Sequence, residues 1–380
     1  MEAAWFFLMG FLRIYLALCV ISTHTSAIFF GFEHGGDQAV QIFFSVSGFY
    51  MALVLTESYS STTKFFISRA IRIYVPYLVI LLFICLVSGL SGLTSGRWFA
   101  LEAYAHSPLT HNGMAGVALA AVSNVSIFFQ DWLMFLKHDF GQHLQFTTNY
   151  AESKSALWHY MIIPPSWSVA LELCFYAMAP FLNRLRTVHL VLIIAASTGL
   201  RTCLFNECHL NFDPWTYRFF PCEISTFLIG MLGYRIYTHF KGKGLPCDIS
   251  ICWFYGVLLC AFLIYAWIIR KADSLGVISY LTFFPLMLII PVLFSYSQKS
   301  TFDRFIGELS FPVYLLHWHI IPLGMAVIGA ARWNPGCLGP LVALGSIGGA
   351  ILVLKLLILP LEEWRRSFKQ QALQPAFPRK

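Results

Sequence analysis

Long apolar runs, separated by short polar seams, dominate the chain. Runs of about 20 apolar residues, the length a helix needs to cross hydrocarbon, lie at 4–28, 38–57, 74–92, 166–183, 188–205, 217–236, 251–269, 275–296, 306–328 and 339–360. They predict an all-α integral membrane protein with about ten transmembrane helices in one bundle and a long outer segment at 91–165. A further stretch, 115–136, is apolar at both ends, but Ser123, Asn124, Ser126, Gln130 and Asp131 fill its middle. It spans, re-enters or lies at the interface. Residues 1–366 are expected to form the membrane domain and 367–380 a short cytoplasmic tail. The first run lacks a basic leader and a small-residue cleavage site, so it reads as a retained span.

Composition agrees with the pattern. Hydrophobic residues make up 58% of the 380 and charged residues 11%, where a soluble domain carries about 25% charged. Mean hydropathy is +0.69. These values exclude a soluble enzyme, a disordered chain, a coiled coil and a disulfide scaffold. The net charge of +7 sits in short clusters between apolar runs, which is membrane topology rather than a nucleic-acid footprint. With ten spans and a cytoplasmic N-terminus, the inner segments hold 15 Lys and Arg and the outer ones 7. If 115–136 also spanned, the ratio would reverse to 9 inside and 13 outside. The positive-inside rule therefore favours ten spans with both termini cytoplasmic.

A charge in hydrocarbon costs about 2.5–3.5 kcal/mol on insertion scales, so each one needs a reason. The intramembrane set is Arg13, His24, Glu172, Arg201, Glu223, His317, His319 and Lys355. Arg13 and His24 are eleven residues apart, three turns plus about 20°, so they share one face about 16 Å apart along the axis. That face meets a bundle interior or a wet cavity; the plainer reading is a snorkelling Arg and an interfacial His. Ser168, Glu172 and Tyr176 recur every four residues on another face. Glu172 is expected near the depth of His24, where a carboxylate would hold the imidazole tautomer, or else it is a structural hydrogen-bonding group. Arg69 and Arg72, at i and i+3 on the cytoplasmic side, suit bidentate phosphate binding or ordinary positive-inside anchoring. Tyr314 and His317 share a face. His317 and His319 diverge on a helix and make no metal pair; no zinc-ligand spacing, CxxC pair, GxSxG or phosphate loop is present.

Taken in order, these residues resemble the membrane acyltransferase-3 family, the O-acyltransferases that decorate cell-surface polysaccharides. Arg13 and His24 match the family's first-span pair. Phe43-Phe44-Ser45-Val46-Ser47-Gly48-Phe49 is similar to FF-x-x-SGF, and Arg69-Ala70-Ile71-Arg72 to RxxR, followed by Ile73-Tyr74-Val75-Pro76. Trp167-Ser168 with Glu172 and Tyr176, Arg218 with Pro221 and Phe227-Leu228-Ile229-Gly230, and Ser310 with Tyr314-Leu315-Leu316-His317 resemble later signatures. The likeness covers about residues 10–366. Glu362-Glu363-Trp364-Arg365-Arg366 departs from the family ending by lacking its Pro, and the soluble SGNH-type domain of larger members does not follow.

The resemblance implies a stand-alone enzyme of the plasma (inner) membrane. It would transfer an acyl group from acyl-CoA, with acetyl-CoA the expected donor, to a hydroxyl of a cell-surface or lipid-linked saccharide. Its partners are then membrane lipid, acyl-CoA and the saccharide acceptor, without nucleic acid, bound cofactor or metal. His24 would be the general base, Glu172 would orient it or stabilise its charge, and Arg13 would steady negative charge on the thioester oxyanion or the donor. Arg69 and Arg72 would bind the donor. Ser47, Gly48, Tyr176, Tyr314 and His317 belong to the motifs without an assigned step. The rival class is a polytopic transporter or flippase of a glycan or small solute, against which stands the lack of an inverted repeat.

Overall fold

The computed structural model describes residues 8–26, 35–59, 61–106, 114–138, 143–241 and 283–361. These residues form helices α1 (Met9–Thr25), α2 (Gly36–Glu57), α3 (Thr62–Ser95), α4 (Met114–Ser126) and α5 (Trp167–Arg184). Helices α6 (Thr187–Asn206), α7 (Phe220–Phe240), α8 (Leu286–Ser297), α9 (Thr301–Ala331) and α10 (Leu338–Val353) follow. The end of α10 widens into a π-helical segment, Leu354–Ile358. Among the described residues, five stretches, namely α2, α3, α6, α9 and Pro335–Leu361 around α10, are long and apolar enough to cross a membrane. The expected span at 251–269, the first part of 275–296, the motif at Glu362–Arg366 and the tail at 367–380 lie outside the described residues.

The apolar residues divide into an inner and an outer set. Leu16, Phe49, Phe65, Tyr77, Phe175 and Phe227 are fully enclosed between helices, whereas Leu82, Phe83, Leu86, Leu90 and Leu93 of α3 are exposed along one side. An apolar flank of that length has no solvent but lipid.

Two pairs of helices run parallel and set the frame. In α2 and α7 the contacts advance together: Gln41 meets Glu223, Ser45 the carbonyl of Thr226, Phe49 the ring of Tyr234, and Glu57 the ammonium of Lys241. The backbones close at Gly48 and Gly230, where any Cβ would collide with the main chain of Phe227 and Ser45. Small residues allow this approach. The Gly of the Ser-Gly-Phe motif is thus a packing residue.

In α1 and α9, Gly10 packs on the backbone of Asp303 and on Gly307, and the two helices run side by side to His24 and His317. The Asp303 carboxylate accepts from the backbone N–H of Gly10 at 2.8 Å and of Phe11 at 3.3 Å. It caps the amino end of a neighbouring helix, whose first amides have no partner within their own helix. Ser300 in turn caps α9 by accepting from the Asp303 N–H at 3.1 Å.

Helix α3 is longer than its apolar run predicts. Its 34 residues extend about 51 Å, well beyond a hydrocarbon core of about 30 Å. The added turns carry Lys64, Arg69 and Arg72, so the RxxR pair stands on the same helix as the span.

Residues 114–138 do not cross the bundle. Helix α4 has 13 residues, about 20 Å, and its end is held by Asn124, which donates to the hydroxyl of Tyr104 and the carbonyls of Ala120 and Tyr160. Tyr77 of α3 donates to the Asn124 carbonyl at 2.6 Å. The chain then reverses through Ile127 and Phe129, both at positive φ. It comes back until His138 touches Gly116, where a Cβ would lie 2.6 Å from the ring. Entry and exit are therefore adjacent. A two-stranded antiparallel hairpin, β1 (Leu136–His138) with β2 (Leu144–Phe146), closes the segment. The fold is otherwise helical, as expected; at this short hairpin Lys137 and His138 continue the turn in extended form because the ladder satisfies their backbone groups. Asp131 lies inside the reversal, and burial lifts its carboxyl from 3.8 to about 7.

Candidate functional site

A cavity of about 520 Å³ opens between α1, α2, α3, α5 and α9. Its polar lining includes Arg13 from α1, Ser47 and Tyr50 from α2, and Arg69 and Arg72 from α3. Helix α5 adds Ser168, Glu172 and Tyr176, and α9 adds Asp303, Arg304, Glu308, Ser310 and Tyr314. Helical spacing brings these groups together. Arg69 and Arg72 lie three apart, Ser168, Glu172 and Tyr176 four apart, and Arg304, Glu308 and Phe311 three or four apart on the inward face of α9. Four guanidinium and three carboxylate groups line one space inside a largely apolar chain.

Each carboxylate is engaged. Asp303 caps α1. Glu308 accepts from Arg72 Nη2 at 2.6 Å, with both side chains partly exposed. Glu172 Oε1 accepts from Ser47 at 2.6 Å and from Tyr176 at 2.5 Å. The guanidinium of Arg13 lies against Gly307, whose missing side chain leaves it room. Arg69 is buried, with its guanidinium 6.0 Å from the ring centre of Phe65.

The other end of the site lies one turn along α9 from Tyr314. His24 Nδ1 and His317 Nε2 are 2.9 Å apart. The ring planes differ by 6° and the centroids are 5.1 Å apart. With the nitrogens this close and the centroids this far, the rings lie edge to edge in a common plane. His317 is fully buried, and its Nδ1 sits 2.6 Å from the carbonyl oxygen of Tyr314. His24 is exposed, with Trp318 edge-on at 5.1 Å. The Tyr314 hydroxyl donates to the Pro165 carbonyl at 3.0 Å and shares a hydrogen bond with Ser168 at 2.8 Å. Tyr314 thus touches the cavity through its side chain and the histidine pair through its backbone.

One expectation is corrected. The partner of His24 is His317, while Glu172 is bonded to Ser47 and Tyr176. Matching His24 and Glu172 by depth fails because α5 starts at Trp167, beside the Ser168–Tyr314 contact, so Glu172 lies a turn closer to the arginines. His24 is exposed near the end of α1, while α9 continues 14 residues beyond His317, about 21 Å, so the pair is recessed relative to the end of α9.

The sequence reading missed Asp303, Arg304 and Glu308. Their signal is an acid and base cluster in the first turns of α9, at the start of the apolar run 306–328.

Of the other intramembrane charges, Arg201 and Glu223 tie helices together. Arg201 of α6 pairs with buried Glu223 of α7 and donates to the Thr216 and Cys222 carbonyls, and Gln41 donates to Glu223 at 2.9 Å. Near the histidine pair, Arg218 is bonded to Asp213 at 2.7 Å and lies 4.3 Å from the ring centre of Trp167. Among the described residues, no group of three or more His, Cys, Asp or Glu is placed to hold a metal.

Residues 9–358 match the acyltransferase-3 family, described as an acyltransferase domain. That is nearly the whole chain, and the protein belongs to this family of membrane acyltransferases. No curated protein and no solved structure matches it.

Proposed function

We propose that this acyltransferase takes an acyl group, acetyl in the simplest case, from cytoplasmic acyl-CoA and transfers it to a hydroxyl of a cell-surface or lipid-linked saccharide. The observation that carries the reading is a division of chemistry along two parallel helices. Arg13 and Arg304 line the cavity at one end of α1 and α9, with Arg69 and Arg72 beside them, and His24 and His317 meet further along. Guanidinium groups suit the phosphates of a CoA-type donor, and an imidazole suits removal of a proton from a poor nucleophile.

Arg13 belongs to the donor in this scheme. Eleven residues of helix separate it from His24, about 16 Å, too far to touch an oxyanion formed beside the imidazole. The arm of an acyl-CoA separates its anionic end from its thioester, and the cavity extends in that direction past Ser47 and Glu172 as far as Tyr314, one turn of α9 short of His317. At the recessed pair, the acceptor oxygen forms a bond to the thioester carbon as its proton passes to His24 Nε2. The carbon–sulfur bond breaks, and the imidazolium returns the proton to the departing thiolate. Glu172 is a polar wall group through Ser47 and Tyr176.

The protein is placed by this reading in the plasma (inner) membrane with ten spans, both termini cytoplasmic and 91–165 outside. The parallel course of α2 and α7 supports it, because a single crossing by residues 114–138 would make those helices antiparallel. The excess of inner Lys and Arg supports the orientation.

The test is free CoA release by the purified protein in nanodiscs, with acetyl-CoA and a candidate glycan. Acceptor-dependent thiol release with ester formation supports the reading, and a carrier would move solute without releasing thiol. Arg69→Ala and Arg72→Ala should raise KM for acetyl-CoA; donor kinetics unchanged in both would leave the pair a topology role only.

A further inference from the structure

We infer that His317 is the positioning residue that fixes the tautomer of His24 and so decides which of its nitrogens is the base. The inference rests on the reading of His24 as the proton acceptor. It follows from three atoms in sequence. The Tyr314 carbonyl oxygen accepts and never donates, so His317 Nδ1, 2.6 Å away, must carry the proton. A neutral imidazole has one N–H and one lone pair, so His317 Nε2 is an acceptor. His24 Nδ1, 2.9 Å from that lone pair, must then be the N–H. The lone pair of His24 is left on Nε2.

The ring geometry makes the bond directional. An imidazole lone pair lies in the plane of the ring, and the two rings share a plane to within 6°. The bond therefore fixes the rotation of the His24 ring as well as its proton. His317 can do this because it is fully buried on α9, and α9 is locked to α1 by the close approach at Gly10 and Gly307 and by the Asp303 cap. His24, at the exposed end of α1, needs such a support. The same logic governs the histidine of a Ser-His-Asp triad, where a buried acceptor at one nitrogen prepares the other. Here the buried acceptor is a second, neutral histidine, which adds no charge to the recess.

The arrangement also has a use during turnover. When His24 Nε2 takes the acceptor's proton, positive charge spreads over the ring, and the Nδ1–H bond to His317 strengthens because its donor becomes charged. His317 gains no proton and remains neutral, with its own N–H on the Tyr314 carbonyl.

Two measurements test this. Histidine ¹⁵N NMR on the wild-type protein, with the His24 signal identified by its loss in His24→Gln, reads the tautomer without using activity. The expected signal is a protonated Nδ1 and an unprotonated Nε2, and the opposite tautomer overturns the inference. In kinetics, His317→Ala should lower kcat by about 10²–10⁴-fold, the range spanned by loss of general-base function and loss of a tautomer-fixing group, with KM for acetyl-CoA unchanged. His317→Gln, whose side-chain oxygen takes the acceptor position, should recover a large part of that loss. Wild-type kcat in His317→Ala, or no recovery in a well-folded His317→Gln, overturns the inference. If His317→Ala does not fold, the wild-type spectrum decides alone. The two ideas fail separately: an active His24→Ala removes the base, whereas an inactive His24→Ala beside an unimpaired His317→Ala removes only the positioning role.

Discussion

Arg72 of α3 and Glu308 of α9 form an ion pair of 2.6 Å on the wall of the cavity. A donor phosphate must compete with that carboxylate for the same guanidinium. Glu308→Gln should therefore lower KM for acetyl-CoA several-fold, while Arg72→Ala raises it. Arg72→Lys keeps charge but loses the planar fork, so it should fall between wild type and Arg72→Ala. Donor KM measured across the three variants checks the order, and a raised KM in Glu308→Gln would show that the carboxylate organises the site instead.

His24→Ala and His24→Gln should reduce glycan acylation by about 10²–10⁴, the usual cost of losing a general base, at unchanged membrane levels. Ester formation per protein inserted is the measurement. Near wild-type turnover in a well-expressed variant would return the Arg13 and His24 face to a packing role.

Gly48→Ala places a methyl group against the main chain of Phe227, which cannot move aside as a side chain would. We expect at least about 1–3 kcal/mol of destabilisation from overpacking. It should appear as a lower thermal midpoint in detergent, with Gly230→Ala behaving alike and Gly89→Ala, where a Cβ meets nothing within 4 Å, close to wild type.

Asp131 gives a pH dependence that does not involve the reaction. Burial raises its folded value from 3.8 to about 7, so between those values the unfolded chain has released a proton that the folded one retains. Its contribution to stability is greatest below about pH 4, falls as pH rises toward 7, and is level above that. Asp131→Asn should remove this slope and stabilise the protein at pH 8 by about 2–4 kcal/mol, with little change at pH 4. Thermal unfolding across that range reads the difference, and parallel curves for the two proteins would refute the assignment.

The topology has its own check. A cysteine introduced at Lys241, which pairs with Glu57 at 2.8 Å, should react with impermeant reagents only from the cytoplasmic side. Labelling from outside would overturn the proposed orientation.

Helical spacing made much of the site legible. Arg13 and His24, Arg69 and Arg72, and Ser168, Glu172 and Tyr176 each lie on one helix, and their faces follow from 3.6 residues per turn. What stayed hidden depended on how separate helices meet. The bond between His24 and His317 joins residues 293 apart and is set by the offset of α1 along α9, which no single-helix pattern contains. The expected pairing of Glu172 with His24 fails for the same reason, since the partners of Glu172 are Ser47 and Tyr176. The early start of α3 escaped because hydropathy reports where lipid begins, not where hydrogen bonding does. Of the three open readings of 114–138, Gly116 against His138 argues against a single crossing.

The Tyr314 carbonyl that orients His317 belongs to the main chain, and every amino acid supplies that oxygen. Mutational drift at position 314 can therefore reshape the cavity wall, altering which acyl groups fit, without deleting the acceptor. On the proposed mechanism, cavity shape and proton handling therefore meet at one residue but through different atoms of it, and a change at 314 that leaves α9 undistorted would alter the first without removing the second.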